Sequence, residues 1–258
     1  MCVGSAGHRC CGEGAQGSIG HGFDQRIQHR GWRKRCLAQT ARPRKVNTST
    51  GPLLRLSEHI AGFDTSPLSP WADLAPWHLV ARSEDILRQL LATLDMSDYQ
   101  LRGDIALHRS ALVESGAVLK GPLIVGPQCF IAAGAYLRGG CWLDGRCIVG
   151  PGAELKSSFV FAGSKLAHFN FVGDSVLGTD VNLEAGSIVC NYRNERADKH
   201  IRVRIGAALH TLATQKFGAL IGDHSRIGAN AVLAPGALLA PGSVVGRSAL
   251  RDDEMLPA

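Results

Sequence analysis

Residues 107–155 decide the fold and read LHRSALVESGAVLKGPLIVGPQCFIAAGAYLRGGCWLDGRCIVGPGAEL. An aliphatic residue recurs at every sixth position of this stretch, and Gly, Pro and Asp fall between the repeats. A small residue, Ala or Cys, stands four positions after most of the aliphatic residues. The aliphatic positions are Leu107, Val113, Leu119, Val125, Ile131, Leu137, Leu143, Val149 and Leu155.

A six-residue period fits neither the 3.6-residue turn of an α-helix nor the heptad of a coiled coil. It is typical of a parallel β-helix, in which each short strand forms one face and successive coils stack. We therefore predict an all-β fold, with a parallel β-helix over residues 105–258. The period resumes at Phe171, Leu177, Leu183 and Val189, and again at Ile221, Ile227, Leu233, Leu239 and Val245.

Two interruptions of the period stand out. The first predicts a slip of the coil within 157–170, because the spacing from Leu155 to Phe171 is two residues short of three repeats. The second predicts an inserted loop at about 191–219, strand-like at 201–205. Long loops on a rigid scaffold commonly carry function. Both interruptions are rich in Lys, Arg, His and Asn side chains, so we expect the functional site there.

The N-terminal part differs in composition from the repeat. Ten of the 28 Lys and Arg residues lie in residues 1–55 beside two acidic residues, so the rest of the chain is slightly acidic. Residues 1–52 show no apolar period, which predicts a disordered basic tail or a mis-annotated translation start. Residues 53–104 are predicted to form a short segment with one amphipathic helix at about 83–95.

Composition also limits the location and the partners of the protein. The apolar runs are short and no secretory signal is recognisable, so we expect a cytoplasmic protein without a membrane span. The repeat region carries no basic excess, and no nucleic-acid partner is expected. Cys129, Cys141 and Cys147 occupy the small inward position of the repeat, which predicts reduced thiols in the core.

A family resemblance is carried by residues 167–203, AHFNFVGDSVLGTDVNLEAGSIVCNYRNERADKHIRV, and residues 216–223, KFGALIGD. These segments resemble the acetyltransferase domain of N-acetylglucosamine-1-phosphate uridyltransferase/glucosamine-1-phosphate acetyltransferase, and are closer still to archaeal sugar-1-phosphate nucleotidyltransferase/acetyltransferases. The resemblance covers about residues 105–250. It implies a left-handed parallel β-helix, a homotrimer, and active sites shared between neighbouring subunits.

The resemblance also implies roles for particular residues. His168 matches the general base that acts on the amino group of glucosamine 1-phosphate, and Glu154 matches a glutamate that assists it. Arg138 in YLRGG and Lys156 in ELKSS match cations that hold the phosphate of the substrate. The other matches are Asn182 and Phe171 on the sugar, Lys199 in the substrate site after a two-residue insertion, and Ala185, Asn191, Tyr192 and Ala229 on acetyl-CoA.

The chemistry is consistent with these residue types. Amide formation from a thioester needs a neutral amine, for which an imidazole base with a pKa of about 6.5 is suited. Cations such as Arg138, Lys156 and Lys199 suit a sugar phosphate. The alternative for His168 is a turn histidine with a local hydrogen bond, and for the cations a solvated face. Phe171 replaces a tyrosine of the family, so the hydroxyl that contacts the substrate is missing.

Several negative expectations complete the prediction. The positions one coil from His168 are expected to be Gly150 and Gly186, so the three converging histidines of trimeric β-helix carbonic anhydrases are missing and no metal is expected. Only residues 1–104 precede the repeat, without a G-x-G-T-R-like loop, so uridyl transfer is not expected. The leading interpretation is an acetyl-CoA-dependent N-acetyltransferase acting on an amino-sugar phosphate or a nucleotide-sugar. The alternative is a catalytically silent trimeric scaffold or regulatory partner of a separate nucleotidyltransferase.

Overall fold

A computed structural model describes residues 54–255 of the chain, and the predictions for residues 1–52 lie outside them. The described residues wind into a β-solenoid of three parallel sheets, named A, B and C below. Each coil contributes one short strand to each sheet in that order. The predicted parallel β-helix is confirmed.

Each sheet has seven parallel strands, one from each successive coil. Sheet A contains β2 (Ile105–His108), β5 (Leu123–Val125), β8 (Cys141–Leu143), β11 (Phe159–Val160), β14 (Val176–Leu177), β19 (Ala219–Ile221) and β22 (Ala237–Leu239). Sheet B contains β3 (Leu112–Val113), β6 (Phe130–Ile131), β9 (Ile148–Val149), β12 (Lys165–Leu166), β15 (Asn182–Leu183), β20 (Arg226–Ile227) and β23 (Val244–Val245). Sheet C contains β4 (Val118–Leu119), β7 (Tyr136–Arg138), β10 (Glu154–Lys156), β13 (Phe171–Gly173), β16 (Ile188–Val189), β21 (Val232–Leu233) and β24 (Leu250–Arg251).

The remaining elements lie outside the coils. The antiparallel strand β1 (Tyr99–Arg102) extends sheet A beside β2, and β17 (Arg202–Ile205) pairs with β18 (Ala208–Thr211) in a hairpin between β16 and β19. The N-terminal segment holds two short helices, α1 (Pro76–Ala81) and α2 (Ser83–Leu91), after 3₁₀ turns at Leu56–Glu58, Phe63–Thr65 and Ser69–Trp71. Among the described residues no helix is long and apolar enough to cross a membrane.

The interior of the solenoid is filled by one aliphatic side chain from each strand and by small side chains at the corners. Leu137 and Leu155, which are neighbours in sheet C, are both fully buried. Cys129, Cys141 and Cys147 are buried free thiols, as predicted. Burial raises the pKa of Cys141 to about 11. Its thiol therefore stays protonated at neutral pH and packs as a small apolar group.

The length of the coil changes midway along the solenoid. In sheet C, Tyr136 pairs with Glu154, which is 18 residues later. Glu154 then pairs with Phe171, and Phe171 with Ile188, in both cases only 17 residues later. The strands of sheets A and B keep a spacing of six residues within a coil, and so do those of B and C. Each short coil therefore loses one residue at its corner between sheet C and sheet A.

These two short corners, called the C–A corners below, correct the expected slip within 157–170. The chain drops one residue after β10 and another after β13, and the second of these lies beyond the predicted range. Val172 is consequently the buried side chain of β13, whereas Phe171 is half-buried and faces outward. Ser157 and Asp174 each adopt a φ of 48°, the left-handed conformation that tight turns use.

Sheet A is the one face of the solenoid that the rest of the described chain covers. Its outward side chains Ile124 and Trp142 are buried in a cluster with Leu87 of α2. The residues of the hairpin region join the same cluster, and the rings of Trp77 and Phe217 lie 5.9 Å apart at an angle of 75°. Sheets B and C keep their outward faces open, so any site on the solenoid surface lies on B, C or the corner between them.

The helix prediction needs two corrections. Helix α2 ends at Leu91 instead of continuing to 95, because the Thr93 N–H and hydroxyl both bond to the Leu90 carbonyl and tighten the last turn. Helix α1 was not expected, since its region is rich in proline. Pro76 occupies the first position of α1, where the missing N–H costs nothing.

Asp223 ties the N-terminal segment to the solenoid. Its carboxylate accepts hydrogen bonds from the Thr179 N–H at 2.6 Å and the Ala61 N–H at 2.9 Å. Its own N–H donates to the His59 carbonyl at 2.9 Å. Asp223 is buried. One carboxylate therefore satisfies donors from two segments that are far apart in the chain.

Replacing Asp223 tests this connection. Asp223→Ala leaves two backbone donors without partners, so we expect the free energy of unfolding to fall by about 2–4 kcal/mol. The measurement is urea denaturation followed by circular dichroism. The matched control is Asp73→Ala, because Asp73 is exposed in the same segment and should change stability by less than about 0.5 kcal/mol. Equal effects of the two variants would contradict the assigned role.

Candidate active site

The outward face of sheet C carries most of the candidate polar residues. Side chains alternate along a strand, so the first and third residues of β10, Glu154 and Lys156, point outward around the buried Leu155. Register then stacks Glu154 between Tyr136 and Phe171, and Lys156 above Arg138. Adjacent strands lie about 4.8 Å apart, so the stacked side chains are in contact range.

The first charged pair on this face joins neighbouring coils. The Arg138 Nε and Nη2 atoms both lie 2.7 Å from Oε1 of Glu154. About a third of each side chain is exposed, so the pair contributes little to stability. Its effect is geometric, because the bond fixes the direction of the guanidinium group. Glu154 thus contacts Arg138, and the described residues give it no bond to His168.

The second charged pair lies deeper, at a C–A corner. Lys156 Nζ lies 2.9 Å from both carboxylate oxygens of Asp174, and the side-chain amide of Asn191 donates to the same carboxylate. Both side chains of the ion pair are largely buried. Gly173 makes this contact possible, because a Cβ there would lie 2.6 Å from Nδ2 of Asn191 and 2.9 Å from Phe171 Cζ. The short corner therefore joins Lys156, Asp174 and Asn191.

His168 lies at the corner between sheets B and C, directly before β13. Its side chain is exposed and makes no hydrogen bond within residues 54–255, which argues against the turn histidine with a local bond. Its backbone carbonyl accepts from the Gly186 N–H at 2.9 Å. The imidazole is thus free to meet a ligand. Because the coils here have 17 residues, the positions one coil away are Pro151 and Ala185, not Gly150 and Gly186 as expected.

The residues next to His168 hold its corner in place. Asn170 is buried and its side-chain amide donates to the Glu184 carbonyl at 2.8 Å and to the Ser187 hydroxyl at 2.9 Å. Phe169 adopts a left-handed φ of 52° and is 69% exposed. Its ring lies over Gly152, where a Cβ would be only 2.5 Å from the ring. The corner therefore presents an imidazole and an apolar ring to solvent side by side.

The other predicted residues fall into separate places. Asn182 lies on sheet B between Lys165 and Arg226, so one chain does not bring it onto the face of Lys156. Ala185 and Ala229 lie on successive coils, since the Asn230 N–H bonds to the Ala185 carbonyl and the Ala229 N–H to Glu184. In the inserted loop, Lys199 Nζ lies 5.4 Å from the centre of the Tyr192 ring and donates to the Asn194 carbonyl at 2.8 Å.

Arg193 is a residue that sequence reasoning missed. Its guanidinium group lies 2.7 and 2.8 Å from the two carboxylate oxygens of Asp252 and 3.1 Å from Glu254, and it also donates to the Pro235 carbonyl. The side chain is 6% exposed. These hydrogen bonds lower the pKa of Asp252. Arg193 therefore fixes the start of the inserted loop, directly after Asn191 and Tyr192, onto the last coil.

No metal centre is evident among the described residues. Residues 54–255 contain no group of three or more His, Cys, Asp or Glu side chains placed to hold a metal ion.

Removing Arg193 tests its role in holding the loop. Arg193→Met leaves the carboxylates of Asp252 and Glu254 without their buried partner, so we expect a loss of about 3–5 kcal/mol in the free energy of unfolding at pH 7. The measurement is chemical denaturation between pH 3 and pH 7. Arg146→Met is the control, because Arg146 is exposed without a side-chain partner among the described residues, and it should change stability by less than about 0.5 kcal/mol.

The effect of Arg193→Met should depend on pH in a defined direction. A carboxyl whose pKa is lower in the folded state stabilises the fold above its unfolded pKa, near 4 for Asp, and loses this contribution as the pH falls through the folded value. The stability difference between wild type and variant should therefore shrink below about pH 4. A difference that stays constant down to pH 3 would show that Asp252 and Arg193 do not interact.

Comparisons with known proteins agree with the sequence motifs. No protein-family model matches the chain. The chain is 34% identical over 192 residues to a bifunctional protein GlmU of Methanococcus maripaludis, a match that covers 72% of this chain and 45% of that protein. It is 30% identical over 170 residues to a bifunctional sugar-1-phosphate nucleotidylyltransferase/acetyltransferase of Sulfurisphaera tokodaii, covering 64% of this chain and 42% of that protein.

The chain spans less than half of the length of these two curated relatives. Among solved structures, the acetyltransferase domain of PglB from Neisseria gonorrhoeae gives a TM-score of 0.20 at 15% identity, covering 66% of this chain and 58% of that one, which is too weak a likeness to carry an argument. The resemblance inferred from the motifs is confirmed by the curated relatives. The C-terminal part of the chain is similar to GlmU proteins and to bifunctional sugar-1-phosphate nucleotidylyltransferase/acetyltransferases.

Proposed function

We propose that this protein is an acyltransferase that moves the acetyl group of acetyl-CoA onto the amino group of an amino-sugar phosphate, such as glucosamine 1-phosphate, or of a nucleotide-sugar. The observation that carries the proposal is the outward face of sheet C. Register stacks Arg138, Glu154, Lys156 and Phe171 there, next to the corner that exposes His168. The similarity to curated acetyltransferases supports the same reaction class.

The reaction balances with His168 as the proton acceptor. The neutral amine of the acceptor attacks the thioester carbonyl, the C–N bond forms, and the C–S bond of acetyl-CoA then breaks. His168 takes the proton that the amine loses and returns it to the departing thiolate, so the products are an amide and free CoA. General base catalysis of this kind contributes about 10²–10⁴-fold to a rate. An exposed imidazole without a competing hydrogen bond is suited to this exchange.

The substrate residues keep the roles that the resemblance implies. Arg138 and Lys156 hold the phosphate, and their carboxylate partners fix the direction of each cation. Because Glu154 bonds to Arg138 in the single chain, its assistance to His168 stays a prediction. Phe171 offers an apolar surface to the sugar ring without a hydroxyl. Asn182 and Lys199 remain predicted substrate contacts, and Ala185, Asn191, Tyr192 and Ala229 remain predicted contacts of acetyl-CoA.

We place the complete site between copies of this chain in a homotrimer. Sheet A is covered within the chain, whereas sheets B and C expose apolar side chains. His168 and Asn182 lie on different faces of one chain, so a neighbouring subunit is needed to enclose a ligand between them. The exposed apolar residues of sheets B and C are Leu112, Val118, Val244 and Leu250. The cytoplasmic location stays a prediction.

A silent scaffold is the second candidate, and one observation favours it. Arg138 and Lys156 are each paired with a carboxylate, so these two ion pairs carry no net positive charge toward a phosphate. A site that lacks both the tyrosine hydroxyl at Phe171 and excess charge would suit a regulatory partner of a separate nucleotidyltransferase. The two candidates differ in whether the protein consumes acetyl-CoA.

Substitutions of His168 separate the two candidates. We expect His168→Ala to lower kcat for thiol release by about 10²-fold or more, with little change in the affinity for acetyl-CoA, because the ring acts on the amine. The rising limb of the pH profile at about pH 6–7 should disappear with it. The assay follows thiol release from acetyl-CoA across a panel of amino-sugar phosphates.

His168→Asn is the matched control for a structural role. Asparagine keeps a similar size and can hydrogen-bond, but it does not accept a proton at neutral pH. Under the proposed function the Asn variant folds normally and is as slow as the Ala variant. An Asn variant with wild-type activity would remove His168 from the mechanism, and a wild type inactive with every acceptor would favour the scaffold.

The oligomeric state is tested separately by light scattering. We expect a trimer at micromolar protein concentration, because apolar side chains of sheets B and C would otherwise stay in water. Leu112→Glu places a charge on an exposed position of sheet B and should shift the mass toward the monomer. A wild-type monomer with full acetyltransferase activity would contradict a site shared between subunits.

A further inference from the structure

The cationic column of sheet C continues one coil beyond the predicted site. Strand β4 pairs with β7 so that Val118 faces Tyr136 and Leu119 faces Leu137, which places Lys120 next to Arg138. The Lys120 N–H donates to the Leu137 carbonyl at 2.8 Å and confirms this register. Lys120, Arg138 and Lys156 therefore stack on three successive coils, on the outward face. No residue match of the family resemblance includes Lys120.

The three cations differ in how their charge is compensated. Arg138 bonds to Glu154 and Lys156 to Asp174, each on the following coil. The position that Glu154 holds relative to Arg138 is held by Tyr136 relative to Lys120. Lys120 consequently meets an aromatic ring where Arg138 meets a carboxylate. Among the described residues Lys120 has no carboxylate partner.

Tyr136 draws two cations together without cancelling their charge. Lys120 Nζ lies 5.1 Å from the centre of the ring, and the guanidinium carbon of Arg138 lies 5.6 Å from it. An aromatic ring attracts a cation through its quadrupole and carries no net charge. Lys120 is exposed. The column thus ends in an uncompensated, accessible positive charge beside a guanidinium group that Glu154 already orients.

From this arrangement we infer that Lys120 and Arg138 bind a second phosphate group, so the acceptor is an amino sugar attached to a nucleoside diphosphate. This inference rests on the proposed function, because it extends the same site. The sugar amine would lie at His168 in the coil of β13, the first phosphate at Lys156 and Arg138, and the second at Arg138 and Lys120. Neighbouring cations on coils about 4.8 Å apart suit two linked phosphate groups, whereas a sugar monophosphate does not reach Lys120.

Equilibrium binding in the absence of an acyl donor tests the inference. The probes are UDP-glucosamine and glucosamine 1-phosphate, titrated into the full-length protein by isothermal calorimetry. We expect Lys120→Gln to weaken binding of UDP-glucosamine by about 10-fold or more, the effect of one lost charge-assisted contact. Binding of glucosamine 1-phosphate should change less than about twofold. Arg146→Gln removes an exposed cation from the corner between sheets A and B and should leave both affinities unchanged.

The possible outcomes are distinct from those of the proposed function. Equal weakening of both probes by Lys120→Gln, or no weakening of either, overturns the second phosphate position. Lys120-dependent binding of UDP-glucosamine by a protein that releases no thiol supports the diphosphate site while acetyl transfer fails. Acetyl transfer to glucosamine 1-phosphate alone, unaffected by Lys120→Gln, overturns the diphosphate site while acetyl transfer stands.

Discussion

Hydrogen bonds between stacked coils hold every strand of this protein in register with the strands before and after it, and the other features depend on that register. A ladder of this kind does not tolerate a residue removed from within a strand, because each side chain beyond it would turn to the opposite face. A residue is therefore lost only at a corner. The two C–A corners after β10 and β13 each lose one, and the second places Asp174 beside Lys156 and Asn191.

The same register distributes charge along sheet C. A cation at the third position of a strand meets the first position or the corner of the following coil, and the residue found there decides whether its charge is cancelled. Glu154 and Asp174 compensate Arg138 and Lys156, whereas Tyr136 leaves the charge of Lys120 in place. Paired cations have fixed directions and the unpaired cation supplies net attraction. This division reconciles two neutral ion pairs with an anionic substrate.

The period of six was sufficient to predict the coil, the parallel sheets and the buried side chains up to Leu155. It could not place the lost residues, because Phe171 and Val172 are both apolar and either one fits the inward position by composition. Motif resemblance selected residues of sheet C and its corners, but it assigned Glu154 to His168, whereas the single chain joins Glu154 to Arg138. Arg193 was out of reach, since its partner Asp252 is 59 residues further along the chain and no local pattern links them.

The account makes one central claim, that the face of sheet C beside His168 forms an amide on an amino sugar. The most direct measurement is mass spectrometry of the acceptor after incubation of the purified protein with acetyl-CoA and an amino-sugar phosphate or nucleoside diphosphate amino sugar. The account predicts an acceptor that gains one acetyl group on its nitrogen, and none when the corresponding sugar carries a hydroxyl in place of the amine. An unmodified amino sugar, or acetylation of the hydroxyl sugar to the same extent, would contradict it.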